Sequence, residues 1–193
     1  MRSRLLKLAA SATAFAVLAL LAGCGDRNVV IAIDVLSYLD PAVTQFAFGP
    51  LPAVPGGIAT GEIAVVQDVH INLVERPNDL TKVQSVSLEF GAEVRDSTGS
   101  GADTLRLYLS DNDTDPLTTP AVATLPVALV DGQVDTVNVS VGGDQRLADL
   151  FNGNSLRMSA TNSARGPASG ADLNGRLKFT KITATVIAGR KGL

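Results

Sequence analysis

Of the 193 residues one is cysteine, one is histidine and none is tryptophan. A lone thiol excludes an intrachain disulfide, so the fold rests on buried apolar surface. One thiol and one imidazole also exclude ordinary structural zinc sites, which draw four ligands from Cys and His. Aromatic residues make up 4% of the chain and charged residues 18%, against 46% hydrophobic residues. So few charges and so much apolar surface exclude a disordered chain. A core built from Val, Leu, Ile and Ala rather than from rings leans toward sheet. The shortage of rings also argues against sugar binding through aromatic platforms.

Basic residues are outnumbered, 16 to 19. Arg2, Arg4 and Lys7 all precede residue 24 and no acid accompanies them, so the chain beyond residue 23 carries 13 bases against 19 acids. No Lys/Arg cluster interrupts that acidic balance, which excludes nucleic acid as a partner. The motifs of common chemistry are missing as well. There is no Gly-x-Ser-x-Gly elbow, and Ser100 sits between Gly99 and Gly101 in a turn-like stretch. The glycines at 142–143 and 166–175 lack the lysine and the strand-to-helix setting of a phosphate cradle.

The first 25 residues, MRSRLLKLAASATAFAVLALLAGCG, place a basic stretch before an apolar run from Leu8 to Ala22. That run is about 15 residues long, short of the roughly 20 that a spanning helix needs, and its layout is that of an export signal. Leu21-Ala22-Gly23-Cys24 resembles the lipobox of bacterial lipoproteins, an apolar residue and two small ones ahead of a cysteine. The resemblance covers this segment alone. It implies a signal peptide at 1–23, removed so that Cys24 becomes the first mature residue, and a short lipidated tether at 24–27. The sulfur would carry a diacylglyceryl group and the amine an acyl chain; two or more chains anchor stably where one does not. In that family an Asp directly after the cysteine favours inner-membrane retention. Here Gly25 takes that place and Asp26 follows, which leaves inner and outer membrane both open.

Beyond residue 27 the dominant pattern is alternation with period two. Val86, Leu88, Phe90, Ala92 and Val94 share one face of a strand within Lys82–Val94, and Leu105, Leu107 and Leu109 share one face of the next. Val137, Val139 and Val141 do the same, as do Ile63, Val65, Val69, Ile71 and Leu73. Further strands are expected at Val29–Leu39, Ala123–Val130, Leu156–Thr161 and Leu177–Ile187. The last changes phase between Phe179 and Ile182, which a β-bulge near Thr180–Lys181 would absorb. Turns are expected at Asp96–Gly101 and Asp131-Gly132, and one short helix near 144–152, capped by Asp144 with Leu147, Leu150 and Phe151 inward. About eight strands with no alternating helices predict one all-β domain over 28–193. The expected form is an antiparallel two-sheet β-sandwich, with a β-barrel as the alternative.

Three features are candidates for function. Asp111, Asp113 and Asp115 alternate in an acidic turn, the pattern with which an EF-hand loop begins to gather oxygens on Ca²⁺. Pro116 and Val122, however, stand where that motif needs Gly and the bidentate Glu, so a solvated hairpin tip is the favoured reading. His70 shares a strand face with Asp68 and Asn72, the beginning of a base-activated nucleophile without its serine. Finally, Phe46, Phe48 and Leu51 lie in the proline-rich stretch 40–61, either lining a binding groove or packing as a crossover with Thr44–Phe48 as an edge strand. No catalytic residue set emerges, and the one cofactor implied is Ca²⁺ at the Asp111–Asp115 turn. The expectation is a membrane-tethered, non-enzymatic binding or structural module of the cell envelope. Its partner would be an envelope protein, a polymer or a small apolar ligand. The alternatives are a Ca²⁺-dependent adhesion or stability module and an envelope hydrolase around Asp68 and His70.

Overall fold

The computed structural model describes residues 27–73, 80–132 and 134–190; the leader and Cys24 lie outside the described residues. Nine strands run in chain order: β1 (Arg27–Asp34), β2 (Gln45–Leu51), β3 (Ile63–Asn72), β4 (Leu80–Thr98), β5 (Gly101–Ser110), β6 (Ala123–Leu129), β7 (Val134–Gly142), β8 (Ser155–Arg165) and β9 (Leu173–Arg190). One helix, α1 (Gln145–Leu150), joins β7 to β8. The strands form two antiparallel sheets. The first has the order β1-β9-β4-β7, with β2 also paired to β9, and the second has the order β3-β8-β5-β6. The chain passes back and forth between them, the interleaving of an eight-stranded jelly roll with β2 added beside β9. Two separate sheets make this an open sandwich, and the barrel alternative is thereby corrected.

The expected alternation packs the core. Val86, Leu88, Phe90, Ala92 and Val94 of β4 face Leu105, Leu107 and Leu109 of β5 across the interior, and all are buried. Val137, Val139 and Val141 of β7 pack at its margin. In β9 the register passes from Lys181 opposite Gly91 to Phe179 opposite Ala92, so Thr180 is the extra residue. That bulge lets Leu177, Phe179, Ile182, Ala184 and Val186 all stay inside despite their change of phase. The helix starts where its cap requires: Asp144 accepts a hydrogen bond from the N–H of Arg146 at 2.8 Å.

Among the departures from expectation, four have an identifiable physical cause. The first strand stops at Asp34 rather than Leu39. There the Asp34 carboxylate accepts the N–H of Leu36 and starts a 3-10 turn that buries Val35. The Asp96–Gly101 stretch is mostly strand, because Asp96 and Thr98 pair with Gly175 and Asn174 of β9, leaving only Gly99 and Ser100 to turn. The Leu156–Thr161 strand extends to Arg165 because β5 pairs along its whole length. In β3, register shifts between Ala64 and Val66 and between Val66 and Val69 put Val66 in the core and leave Ile63 53% exposed, which breaks the expected single face.

Candidate functional site

The outward face of the second sheet carries a row of polar groups built by β3, β8 and β5. Its geometry begins with the bulge in β3, where Asp68 adopts φ of 48°. Aspartate tolerates this region better than most residues. The twist is held by Ser159, whose Oγ accepts the Asp68 N–H at 3.0 Å. The Asp68 side chain then meets Arg157 of β8 as a two-pronged fork, Nε to Oδ1 at 2.5 Å and Nη2 to Oδ2 at 2.7 Å. Hydrogen bonding from Arg157, reinforced by its charge, holds the Asp68 carboxyl below the usual range. Such bidentate pairs are the strong form of the charge-assisted hydrogen bond. His70 stands opposite Arg157 in the ladder, with Nε2 3.8 Å from Asp68 Oδ1, beyond hydrogen-bond reach. The Asp68–His70 pair is therefore an Asp68–Arg157 pair with an exposed imidazole beside it.

Arg157 also reaches the acidic turn. Its Nη1 donates to the carbonyl oxygens of Thr114 at 3.1 Å and Asn112 at 3.4 Å. Two of the aspartates there are occupied with backbone. Asp111 accepts the N–H of Asp113, and Asp115 accepts the N–H of Leu117 to open a 3-10 turn over Pro116–Thr118. Ser110 Oγ closes the loop by donating to Thr114 O at 2.6 Å. Among the described residues no three His, Cys, Asp or Glu side chains gather as a metal-ligand set. Asp111 and Asp115 thus cap the turn, and its Asn112 and Thr114 carbonyl oxygens accept from Arg157.

One step along the same face lies a group that the sequence reading passed over. Glu62 Oε1 accepts from both Thr161 Oγ1 and Tyr108 Oη, and Arg106 Nη1 sits 3.7 Å from Oε2. Thr161 first and Tyr108 second hold the Glu62 carboxyl below its ordinary value. Burial, and then acceptance by Glu62, raises the Tyr108 phenol, which stays protonated as the donor. The signal available in the sequence was the polar half of the alternation, Arg106 and Tyr108 in β5 and Arg157, Ser159 and Thr161 in β8. Its meaning depends on those strands being neighbours.

Phe46, Phe48 and Leu51 lie on the other sheet. Phe48 and Leu51 are buried, and the Phe46 ring packs 5.7 Å from that of Phe179. These three side chains therefore pack over β9, and the Ala53 N–H farther along the stretch donates to Asp172 at 3.0 Å.

A second acid escaped notice although it stands in phase with Leu105, Leu107 and Leu109. Asp103 of β5 faces the core at 1% exposure. Its Oδ1 accepts the Thr104 N–H at 2.6 Å and its Oδ2 accepts Asn162 Nδ2 at 3.3 Å. Burial pushes this carboxyl up against those hydrogen bonds. With a folded-state value above the unfolded one, its contribution is complete below the ordinary carboxylate range and is lost as pH rises through the folded value. Asp103→Asn, with the Asn162 amide turned to accept, removes the charge and keeps the bonds. The variant is expected to melt about 2–8 °C higher than wild type at pH 8, worth about 1–2 kcal/mol, and level with it near pH 3.5. Thermal melts across that range check this; equal melting at pH 8 would show the carboxylate fully compensated.

No family model matches the chain, and no curated protein matches it. Among solved structures it is similar to a chain of infectious bursal disease virus, Gx strain, at 14% identity and a TM-score of 0.39, over 87% of this chain and 38% of that one. It is similar to the Eiger TNF of S. frugiperda at 9% identity and a TM-score of 0.35, over 68% and 92%. It is similar to a xylan-binding module at 17% identity and a TM-score of 0.33, over 83% and 97%. The chain thus spans well under half of the viral chain it matches.

Proposed function

We propose that this chain is a bacterial envelope lipoprotein, a non-catalytic β-sandwich binding module held to a membrane by lipid on Cys24. The observation that carries the reading is the placement of the chain's one cysteine in Leu21-Ala22-Gly23-Cys24, directly ahead of the sandwich. β1 begins at Arg27, three residues past Cys24, which leaves about 10 Å of chain at most between anchor and fold. So short a tether holds one end of the sandwich against the bilayer. That end is where Arg27 pairs with Arg190. Binding rather than acid–base chemistry is supported by the candidate face itself. Asp68 is consumed by Arg157, and Glu62 is consumed by Thr161 and Tyr108. A carboxylate with its lone pairs so engaged is a rigid recognition group and a poor proton carrier.

The test is metabolic labelling with a fatty acid, followed by membrane fractionation of wild type and Cys24→Ser. Wild type is expected to carry label and sediment with membranes, whereas the variant carries none and leaves the membrane fraction or retains its leader. An unlabelled wild type with a free Cys24 thiol by mass spectrometry overturns the proposal.

A further inference from the structure

The outward face of the first sheet holds a feature of opposite character. Gln45 of β2, Glu93 and Arg95 of β4, and Arg176, Leu177 and Lys178 of β9 line an open cleft of about 130 Å³. The ladder sets these groups in rows. Gln45, Lys178 and Glu93 are neighbours across three strands, and Arg95 stands directly opposite Arg176. Glu93 is the single acid among three cations, and Arg95 takes it, with Nε and Nη2 both 2.9 Å from Oε1. Among the described residues Arg176 and Lys178 enter no ion pair. Like charges directly opposite in a sheet destabilise it, and here they persist in a chain whose net charge is −3. An oxyanion placed between Arg95, Arg176 and Lys178 relieves that repulsion, and a guanidinium presents the fork that a carboxylate matches.

We propose that this cleft binds the carboxylates of an anionic glycan, with Arg176 and Lys178 as its free cations. A protein partner fits poorly, because interface cores need apolar anchors and the one apolar residue of the cleft, Leu177, is fully buried. A neutral sugar fits poorly without an exposed ring to stack on. The headgroups of the anchoring bilayer are placed out of reach. Here the inference rests on the Cys24 reading. Arg176 and Lys178 lie 14 and 12 residues along β9 from Arg190, the residue paired with Arg27 at the tethered end. That separation is on the order of 40 Å of strand. A hydrated polymer with repeating carboxylates is the ligand left for a distal, polar, cationic cleft.

The experiment is equilibrium binding of the full mature chain in detergent micelles to polygalacturonate, with dextran as the neutral polymer and phosphatidylglycerol vesicles as the lipid arm. Binding to polygalacturonate is expected to weaken with salt and to fall at least tenfold in Arg176→Gln/Lys178→Gln. Lys82→Gln, a cation on another part of the surface, is expected to bind as wild type does. Both cleft side chains are exposed, so the double variant keeps its melting temperature. Absence of polygalacturonate binding, equal binding by the double variant, or vesicle capture that falls in the double variant as far as polygalacturonate binding does each overturns the inference. The Cys24→Ser chain separates this from the anchor: glycan binding without lipid sinks only the anchor, and lipid without glycan binding sinks only the cleft.

Discussion

Phe179→Ala is expected to destabilise the domain by about 3–5 kcal/mol, lowering Tm by about 10–15 °C. The ring is almost fully buried and lies 5.7 Å, centroid to centroid, from both Phe46 and Phe90. Truncation forfeits the transfer free energy of the ring and leaves a void between two flat neighbours that collapse poorly into it. The site is also awkward to repack, because Thr180 beside it is the bulged residue that sets the inward phase of the rest of β9. With one cysteine in the chain no disulfide limits the unfolded ensemble, so the loss falls on a stability of the usual 5–15 kcal/mol. Urea unfolding measures it, and an unchanged slope would show that the change is in stability alone. A loss below about 1 kcal/mol would mean that the three rings do not form the continuous core described above.

Gly49→Ala is the second large effect, expected at about 2–4 kcal/mol and concentrated at one edge of the sandwich. Gly49 has φ of +90°, a region L side chains avoid, and a Cβ there would stand 2.4 Å from the Leu173 carbonyl oxygen and 3.1 Å from the Asn174 Cα. Both obstacles are backbone of β9 and cannot swing aside. Among the described residues β2 pairs with no other strand, so the variant relieves the clash by parting β2 from β9. Hydrogen exchange should then speed up for the amides of Gln45–Leu51 while those of β5 and β8 stay protected. Gly56→Ala supplies the contrast. Its φ is +88°, but nothing lies within 4 Å, so only the conformational penalty of about 1–2 kcal/mol remains. Equal losses at the two positions would refute the steric argument.

Both predictions turn on the pairing of β2 with β9, which shows where sequence reasoning reached and where it stopped. The inward faces of β4, β5 and β7 were legible because alternation is a local property: a pleated strand with Val, Leu and Phe on one side has one way to bury them. The bulge at Thr180 was legible for the same reason, as a change of phase within one strand. The fate of Phe48 and Leu51 was not, because an apolar residue in a proline-rich stretch reads the same whether it lines a groove or plugs a core. Asp103 was hidden by the rule itself. Alternation gives it an inward place, and only the neighbouring Asn162 of β8 makes burial of that acid tolerable.

The candidate face was less legible still. Asp68 and His70 stand out as the lone acid–imidazole pair on a strand, and Asp111, Asp113 and Asp115 as an alternating acidic run. The group that joins the two features, Arg157, lies 89 positions from Asp68. Nothing in its own neighbourhood distinguishes it from any other polar residue of a half-buried strand.

By itself, then, the sequence determined which side chains each strand turns inward, where β9 breaks phase, where α1 is capped, and that one thiol precedes the fold. Tertiary structure alone decided the orders β1-β9-β4-β7 and β3-β8-β5-β6. It thereby decided that Asp68 meets Arg157, that the acidic turn is answered by a guanidinium, and that Arg95 confronts Arg176. The reason is physical: side-chain periodicity is set within a strand by the pleat, whereas the choice of neighbouring strand depends on hydrogen bonds and packing between segments far apart in the chain.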